Sequence, residues 1–536
     1  MNKFNIAVVG FLLVGSLSAQ KNKAPDNWYL LDPKADKVYG TGIEEAYKTL
    51  GDRKVEKVIV AVIDSGVDVE HEDLKDVLWT NPGEIAGNGI DDDNNGYIDD
   101  IHGWSFLGGE TEDLNEVALE LTRLYQRYSV KYEGKKSSDF SGAESEEYKY
   151  WKTIEKDYMV GYSQDKNQGQ VYPLIEAFFA NVKKDKGSFS KESIASYEPQ
   201  NDMERNLKPV FKKMLEAGMS SEDLEEQIAS EKKHFDTKMA AYSVNDDSLR
   251  RAIVGDNPDD VTEKYYGCNR LEGPDALHGT HVAGIIAANR VNNLGIIGEA
   301  NNVEIMTLRA VPNGDERDKD IANAIIYAVD NGAKVINMSF GKGYTPHKEL
   351  VDNAIKYAAD HDVLLVHAAG NDHKNKEVDN SYPTRLLSDG TIAANWIDVG
   401  ASSFKKGKNI PARFSNYGPT MVDLFAPGVA IHSTLPDDEY RDLQGTSMAC
   451  PSVAGVAAMI RGYFPELTAA ELKILLIETC TIYKKKVYLP GGATVENKKG
   501  EKVHKDVKVK MTDLCVSGGM INANNAVKKL LELEGK

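Results

Sequence analysis

Three polar side chains that are far apart in the chain could together carry out nucleophilic catalysis. Asp64 follows the apolar run VIVAVI, His278 precedes the helix-like segment VAGIIAA, and Ser447 enters a helical stretch of small and apolar residues. A hydroxyl is a poor nucleophile near neutral pH and needs an adjacent base, which a carboxylate can orient. Taken singly, the three residues also fit structural roles as a turn former, a structural histidine and a helix cap.

Neighbouring residues refine these interpretations. His281 lies one helical turn after His278, and we interpret it as a structural histidine packed against the sheet. Gly445 and Ala449 are small and leave the Ser447 hydroxyl accessible. Amides at the N-terminus of a helix also stabilise nearby negative charge, as an oxyanion would require.

The segment GNGIDDDNNGYIDD, residues 87–100, has the spacing of a partial calcium loop. Its candidate ligands are Asp91, Asp93, Asn95, the Tyr97 carbonyl and Asp99. Gly96 stands where an EF-hand-like loop turns sharply, but the twelfth position is His102 rather than a bidentate Glu, which excludes a complete EF-hand. Asp92 and Asp100 either complete the coordination shell or face water. The alternative interpretation is a solvated acidic turn.

The elements that position these residues alternate between strands and helices. The continuous apolar runs that predict buried parallel strands are VIVAVI at 58–63, VEIMTL at 303–308, KVINMSF at 334–340 and VLLVHAA at 363–369. Between them, DIANAIIYAVDNGA has helical spacing and places Gly332 where the helix ends. This pattern predicts an α/β fold with a doubly wound, mostly parallel sheet flanked by helices. Ligands bind beyond the carboxyl ends of such strands.

Residues 111–255 differ in texture and predict a mostly helical, charged insertion. Apolar residues fall at helical intervals at Leu114, Val117, Leu121, Leu124 and Tyr128. Further on, SSEDLEEQI carries a capping signature in which Ser220 precedes Asp223 by three residues. The predicted organisation is a leader at 1–19, an extension at 20–55, a core domain at 56–110 and 256–536, and the insertion at 111–255.

Composition limits the classes of function. The chain has 536 residues and a formal net charge of −19, which argues against nucleic-acid binding because phosphate recognition needs concentrated Lys and Arg. Lys3, an apolar run and the small residues of SLSAQ predict a secretory signal cleaved near Ser18 or Ala19. The run is shorter than a membrane span needs, and no later stretch is apolar enough to span a bilayer. We therefore expect export to the periplasm or the extracellular space.

The four cysteines leave the disulfide pattern open, since connectivity cannot be read from sequence. Cys480 and Cys515 flank a polar segment that is typical of a hairpin, and we predict a bridge between them. Cys450 is interpreted as a buried thiol, with a bridge to Cys268 as the alternative.

The stretches IDSGV, HGTHVAG and GTSMACP, in that order, closely resemble the signatures of the subtilisin-like serine proteases, the subtilases of peptidase family S8. The resemblance implies a subtilisin-like fold and an exported serine endopeptidase that acts through an acyl-enzyme. It also implies the catalytic roles: Ser447 attacks, His278 transfers the proton, and Asp64 orients the imidazole. A catalytically silent binding protein on the same fold, and a ligase that passes the acyl group to an amine, are the competing interpretations.

The same resemblance implies further site residues. In VHAAGND, Asn371 matches the asparagine that donates to the oxyanion. The segment Ser339, Phe340 and Gly341 resembles the one that pairs with an extended protein or peptide substrate, and side-chain selection would fall to a pocket formed with Ala368, Ala369 and Gly370. Subtilases also use structural calcium, which supports the calcium interpretation of the acidic loop.

The chain departs from the simple family pattern between Asp64 and His278, which are separated by 278 − 64 = 214 positions. The acidic loop and the helical insertion fill that interval. The extension at 20–55 is too short for the folded propeptide common in the family. We therefore hypothesise that the insertion contacts a partner, assists folding or restrains the active site.

Overall fold

A large parallel sheet forms from the apolar runs. The computed structural model of the protein describes residues 24–25, 27–216, 219–379, 381–496 and 502–535. The strands are β1 (Val58–Asp64), β2 (Gly103–Ser105), β3 (Val303–Arg309), β4 (Val335–Met338), β5 (Leu364–Ala368), β6 (Trp396–Ser402), β7 (Leu424–Pro427), β8 (Ile431–Leu435), β9 (Glu439–Leu443), β10 (Thr481–Ile482), β11 (Val487–Tyr488), β12 (Ala493–Glu496), β13 (Lys502–Lys505), β14 (Lys508–Val509) and β15 (Gly519–Met520).

The helices lie between these strands. They are α1 (Ile43–Leu50), α2 (Glu120–Tyr132), α3 (Ala143–Gly169), α4 (Val171–Lys186), α5 (Lys191–Ser196), α6 (Asp202–Glu216), α7 (Ser221–Ala240), α8 (Asp246–Ile253), α9 (Leu277–Ala287), α10 (Asp318–Asp330), α11 (Lys348–Asp360), α12 (Thr446–Tyr463), α13 (Ala469–Glu478) and α14 (Ala523–Leu533). Within the described residues, no helix has the length and apolar character needed to cross a membrane.

Nine strands form the main sheet in the order β10-β15-β7-β6-β5-β4-β1-β3-β2. All neighbouring pairs run parallel except β10 and β15. Ala61 and Ile63 of β1 join a core with residues of α10 and α11, and Val60 and Val62, which point to the opposite face, are also fully buried. Helices therefore cover both faces, and the predicted doubly wound α/β fold is confirmed.

Local sequence signals set several boundaries. Gly332 has a φ of 83° just beyond α10, in the left-handed region that glycine adopts readily. The Ser220 hydroxyl accepts from the Asp223 amide at the start of α7, and the Thr468 hydroxyl accepts from the Glu471 amide at the start of α13. The capping box predicted at Ser220 is therefore present, and Thr468 forms a second one.

Residues Leu121–Asn245 form a compact unit distinct from Pro25–Glu120 with Asp246–Lys536. Helices α4 to α7 of this unit have their own apolar core, in which Phe178 and Phe211 are fully buried. The rings of Phe179 and Phe189 stack there with centroids 3.8 Å apart. The unit thus has the buried apolar contacts of an independent fold.

The first helix of the insertion begins later than the apolar spacing predicts. Leu114 and Val117 precede α2 and pack into the core beside the main sheet. The segment around them bridges to Asn313 and does not continue the helical pattern, because the Val117 amide donates to the Asn313 carbonyl (3.0 Å). Placing these two residues on a helix was wrong.

The C-terminal polar segment forms two small antiparallel pairs, β11 with β14 and β12 with β13, as the hairpin prediction required. The predicted bridge between Cys480 and Cys515 was wrong, because both are buried free thiols. Cys450 is a buried thiol as predicted, and Cys268 is also free. The predicted signal segment and its cleavage point lie outside the described residues.

Candidate active site

Asp64 and His278 meet at the carboxyl end of β1. Asp64 is the last residue of that strand, and His278 is the second residue of α9. His278 Nδ1 lies 2.7 Å from Asp64 Oδ1, which also accepts from the Ser65 amide (2.8 Å). A Cβ on Gly279 would lie 2.0 Å from the Gly66 carbonyl oxygen, so glycine at this position permits the close approach of α9 to β1.

The contact with Asp64 changes the basicity of the His278 imidazole. Burial lowers the pKa of His278, but the negative charge of Asp64 and the hydrogen bond with it outweigh this effect and raise the pKa above its ordinary value. Asp64 is almost completely buried, while the imidazole keeps 37% of its side-chain surface exposed. The nitrogen opposite Asp64 is therefore the one available for proton transfer.

Ser447 is the second residue of α12, one position past the start of the helix, so the alternative interpretation as an N-cap is excluded. Among the described residues its hydroxyl donates to the backbone oxygen of Ser339 (3.2 Å) and makes no hydrogen bond with His278. The Ser339 hydroxyl donates in turn to the Ser447 carbonyl (3.0 Å). These reciprocal contacts hold the start of α12 beside the end of β4.

Asn371 follows β5 and faces the start of α12. Its Oδ1 accepts from both the amide (2.8 Å) and the hydroxyl (3.0 Å) of Thr446. A Cβ on Gly445 would lie 3.5 Å from both Asn371 Nδ2 and the Ser447 amide nitrogen. Two N–H donors thus border the small space that Gly445 leaves open. Sequence reasoning missed the role of Thr446 in orienting the Asn371 amide, although Thr446 lies within the GTSMACP stretch.

The segment Ser339, Phe340 and Gly341 follows β4, and Ala368, Ala369 and Gly370 lie at the end of the neighbouring strand β5. The Gly370 amide donates to the Thr446 hydroxyl (3.1 Å), which connects the second group to the start of α12. Both groups therefore border the end of the sheet at which Ser447 stands.

His281 has the structural role expected, although its partners differ from those predicted. The ring is fully buried, and its Nε2 lies 3.1 Å from the carbonyl oxygens of Ile431 in β8 and Arg441 in β9. Burial lowers its pKa to about 3, so the ring is neutral. The prediction placed it against the sheet, whereas it ties α9 to the β8–β9 hairpin.

The acidic loop gathers a different set of carboxylates from the one predicted. Side-chain oxygens of Glu84, Asp93 and Asp100 lie within 4.8 Å of one another. The Asp99 oxygens instead accept from the amides of residues 87, 88 and 89, with the shortest contacts at 2.8 Å. The Asp91 carboxylate accepts from the amides of residues 95 and 96. Of the candidate acidic ligands Asp91, Asp93 and Asp99, only Asp93 belongs to the observed group, which also contains Asp100, a residue that the sequence offered for completing the shell.

Asn95 also contacts the cluster, because its side-chain amide nitrogen donates to Asp93 and Asp100. The Tyr97 ring packs against Trp104 and Tyr327, and its carbonyl stays a predicted ligand. Sequence reasoning missed Glu84 because it precedes the loop motif. Its Oε1 accepts from the Asp92 and Asp93 amides, which brings it to the cluster. Oxygen donors at such mutual distances fit a calcium ion, since ligand distances of about 2.3–2.6 Å separate two ligands by up to about 5 Å.

Comparisons with known proteins match most of the chain to one family. The model of the subtilase family, Peptidase S8, matches residues 56–506. The thermophilic serine proteinase of Bacillus sp. (strain AK1) is 43% identical over 184 residues, which are 34% of this chain and 42% of that protein. Subtilisin DY of Bacillus licheniformis is 38% identical over 208 residues, 38% of this chain and 70% of that protein.

A solved structure, of a protease from Pseudoalteromonas arctica PAMC 21717, is 20% identical, covers 94% of this chain and 97% of that chain, and has a TM-score of 0.46. The aligned regions of the two Bacillus relatives thus span 42% and 70% of their lengths. The family model covers most of the chain, including the ends of the strands and helices that carry Asp64, His278, Asn371 and Ser447. By this match the chain belongs to the subtilase family of peptidases.

Proposed function

We propose that this chain is an exported serine endopeptidase that hydrolyses peptide bonds through Asp64, His278 and Ser447. The observation that carries the proposal is the 2.7 Å contact between His278 Nδ1 and Asp64 Oδ1 at the carboxyl end of β1. In the family to which the chain belongs, such a pair serves a serine nucleophile, and Ser447 stands in the matching motif at the start of a helix.

The proposed reaction has two half-reactions, and the same three side chains act in both. Ser447 Oγ attacks the scissile carbonyl while His278 Nε2 takes its proton and then gives it to the leaving amine. A water molecule repeats the sequence on the acyl-enzyme and releases the acid. Asp64 keeps the proton on Nδ1, so that Nε2 is free to act as the base. Ser447 must leave its contact with Ser339 and rotate toward His278 before it reacts.

We assign the oxyanion contacts to the Ser447 amide and Asn371 Nδ2. Both nitrogens border the space beside Gly445, and Thr446 engages Oδ1 of Asn371, which leaves its NH₂ group for the substrate. Donors arranged before the reaction stabilise charge without reorganisation. Ser339, Phe340 and Gly341 would pair with the substrate backbone, and Ala368, Ala369 and Gly370 would border the side-chain pocket.

The test of the activity is the loss of peptide hydrolysis on Ser447→Ala. We expect the wild-type chain to cleave a peptide library and react with a fluorophosphonate, and the variant to do neither. A matched control is Ser243→Ala, which removes an exposed hydroxyl outside the proposed site and should leave both reactions unchanged. Hydrolysis that survives Ser447→Ala would refute the assignment, and ligated products in place of hydrolysed ones would indicate transfer to amines.

We also propose a structural calcium ion at Glu84, Asp93 and Asp100. Burial raises the pKa of Asp100, although hydrogen bonds from Tyr327, Asn95 and Asn81 oppose the shift. A cation would relieve the repulsion of three close carboxylates. Export is consistent with this proposal, because extracellular calcium fills even weak sites.

A further inference from the structure

A second aspartate–histidine pair lies behind the segment to which we assign peptide binding. His367 belongs to β5 and Asp398 to β6, and neither side chain has exposed surface. His367 Nδ1 lies 2.9 Å from Asp398 Oδ1. Its Nε2 lies 3.1 Å from the backbone oxygen of Phe340. The ring therefore links the interior of the sheet to the substrate segment.

Both partners of His367 are hydrogen-bond acceptors. A carboxylate and a carbonyl have no proton to give, so both ring nitrogens must carry a proton if both contacts are hydrogen bonds. A neutral imidazole has only one N–H, and one contact then brings two lone pairs together. The charged carboxylate is the stronger acceptor, so the neutral ring keeps its proton on Nδ1 and the contact with Phe340 is the one lost.

Burial, and then the nearby positive charge, make the second proton of His367 easy to lose. Lys376 Nζ donates to Asp398 Oδ1 (2.8 Å), and Arg385 Nε lies 4.0 Å from Asp398 Oδ2. Trp396 Nε1 also donates to Asp398 Oδ2 (3.0 Å). Burial and then the charge of Lys376 lower the pKa of His367, although Asp398 opposes this.

Further charged groups lie next to the His367–Asp398 pair. Asp423 accepts from the Asp398 amide (2.8 Å) and pairs with Arg385 (2.7 Å), while Lys473 of α13 adds positive charge near Asp423. Cys450 of α12 is a buried thiol whose Sγ lies 3.2 Å from the carbonyl of Val366, next to His367. Asp398 thus has cationic partners other than His367.

The contact between His367 and Phe340 indicates which backbone groups of the substrate segment face the peptide. Successive residues of a strand direct their backbone polar groups to opposite sides. His367 engages the carbonyl of Phe340, and the amide and carbonyl of Lys342 pair with Tyr382 (both 2.9 Å). Gly341, between them, then presents its polar groups to the other side, where an extended peptide would lie.

We propose that His367 is a positioning residue for peptide binding, which fixes the segment Ser339–Gly341 by donating to the Phe340 carbonyl when its ring carries both protons. The proposal rests on the proposed function, because it assigns a role within that substrate segment. It concerns binding along the extended substrate and leaves the chemistry at Ser447 unchanged.

The experiment compares two substrates on the full chain. One is a tetrapeptide amide long enough to pair with the segment, and the other is an acylated single-residue ester that cannot. The variants are His367→Leu, which removes both contacts, and His367→Gln, whose side-chain NH₂ can still donate. His361→Gln, on an exposed histidine at the end of α11, is the matched control. Active sites are counted in every preparation by fluorophosphonate labelling, and folding is checked by thermal melting.

The comparison is made at a pH below the lowered pKa of His367, where its ring carries both protons and turnover is slow because His278 is also protonated. There we expect His367→Leu to raise KM for the tetrapeptide about five- to tenfold, as the loss of one buried hydrogen bond does, with kcat within about twofold of the wild-type value at the same pH. KM for the ester and both constants of His361→Gln should not change. His367→Gln should recover part of the loss. In the wild type the tetrapeptide KM should rise with pH as the ring loses its second proton, and in His367→Gln it should not.

Equal changes for the two substrates would indicate general disruption and would overturn the proposal, as would a KM for the tetrapeptide that is unaffected by either variant. If His367→Leu does not fold, the test is the pH dependence of the tetrapeptide KM in the wild type compared with that in His367→Gln. The proposal then fails if the two dependences are the same. A wild-type chain that hydrolyses neither substrate and takes no label would refute the proposed function and this inference with it. A labelled, active enzyme without the difference in KM refutes this inference alone.

Discussion

At the residue scale, the charge state of His278 controls the proposed chemistry. Asp64 raises its pKa, and only the neutral ring can accept the Ser447 proton. Activity should therefore fall as the pH drops through this raised pKa. For stability the sign is opposite: a raised folded-state pKa stabilises the fold below the ordinary value of about 6.5, and that contribution disappears as the pH rises through the folded pKa.

Replacing Asp64 by Asn tests this coupling. The variant keeps the side-chain shape but removes the negative charge, so the pKa of His278 should fall and the acid limb of the kcat/KM profile should move to lower pH. We also expect kcat to fall about 10⁴-fold, because the correct tautomer is no longer fixed. A pH–rate profile of variant and wild type measures both effects. An acid limb that stays in place would contradict the role of Asp64.

Asn371→Asp isolates the proposed oxyanion donor. The variant keeps an oxygen that can accept from the Thr446 amide but loses the Nδ2 donor. We expect kcat to fall at least about 10²-fold with little change in KM, because the lost contact forms with the developing charge. Steady-state kinetics provide the measurement. An unchanged kcat would remove Asn371 from the reaction.

For the acidic loop, the ligands observed as a cluster in the structure differ from those predicted from sequence spacing, and the two sets can be tested against each other. Asp100 belongs to the observed cluster, whereas Asp91 belongs only to the set predicted from spacing. Asp92, which the sequence offered with Asp100 for completing the shell, is not part of the cluster. Calcium at about a hundredfold its Kd adds about 2.7 kcal/mol to the free energy of unfolding. Calcium should therefore raise the melting temperature of the wild type and of Asp91→Asn and Asp92→Asn, but not that of Asp100→Asn.

The melting curves are recorded with calcium and with a chelator. A calcium effect that is lost in Asp91→Asn and kept in Asp100→Asn would favour the spacing-based set instead. If neither calcium nor the chelator changes the melting temperature of the wild type, the calcium proposal is refuted.

The sequence predicted the central strands and the proposed catalytic pair, but it did not predict contacts that depend on the folded path of the chain. Apolar runs predicted β1, β3, β4 and β5, because burial on both faces leaves a continuous signal. Asp64 and His278 could be paired through family motifs. Glu84 could not be predicted, since its approach to Asp93 depends on the turn of the chain between them. The His367–Asp398 pair was hidden for a similar reason, because β5 reads as an ordinary buried strand and the partner lies on another strand.

At the scale of the whole molecule, residues 121–245 have a core of their own. Phe178, Phe211 and Trp151 are buried within this unit. A fragment of this length buries enough of its surface to fold alone. Expressed by itself, it should show a helical circular dichroism spectrum and a cooperative melt, and Phe211→Ala should lower its melting temperature by removing about 3–5 kcal/mol of packing. A fragment without a cooperative transition would show that this core needs the rest of the chain.

The family match and the pairing of Asp64 with His278 both support activation of Ser447 by His278. The most direct measurement is a crystal structure of the chain after reaction with a peptidyl phosphonate. We predict phosphorus bonded to Ser447 Oγ, with His278 Nε2 within about 3.2 Å of that oxygen or of the phosphonate and its Nδ1 still on Asp64. Phosphorus on another residue, or a His278 ring that cannot reach Ser447 in the adduct, would contradict the account.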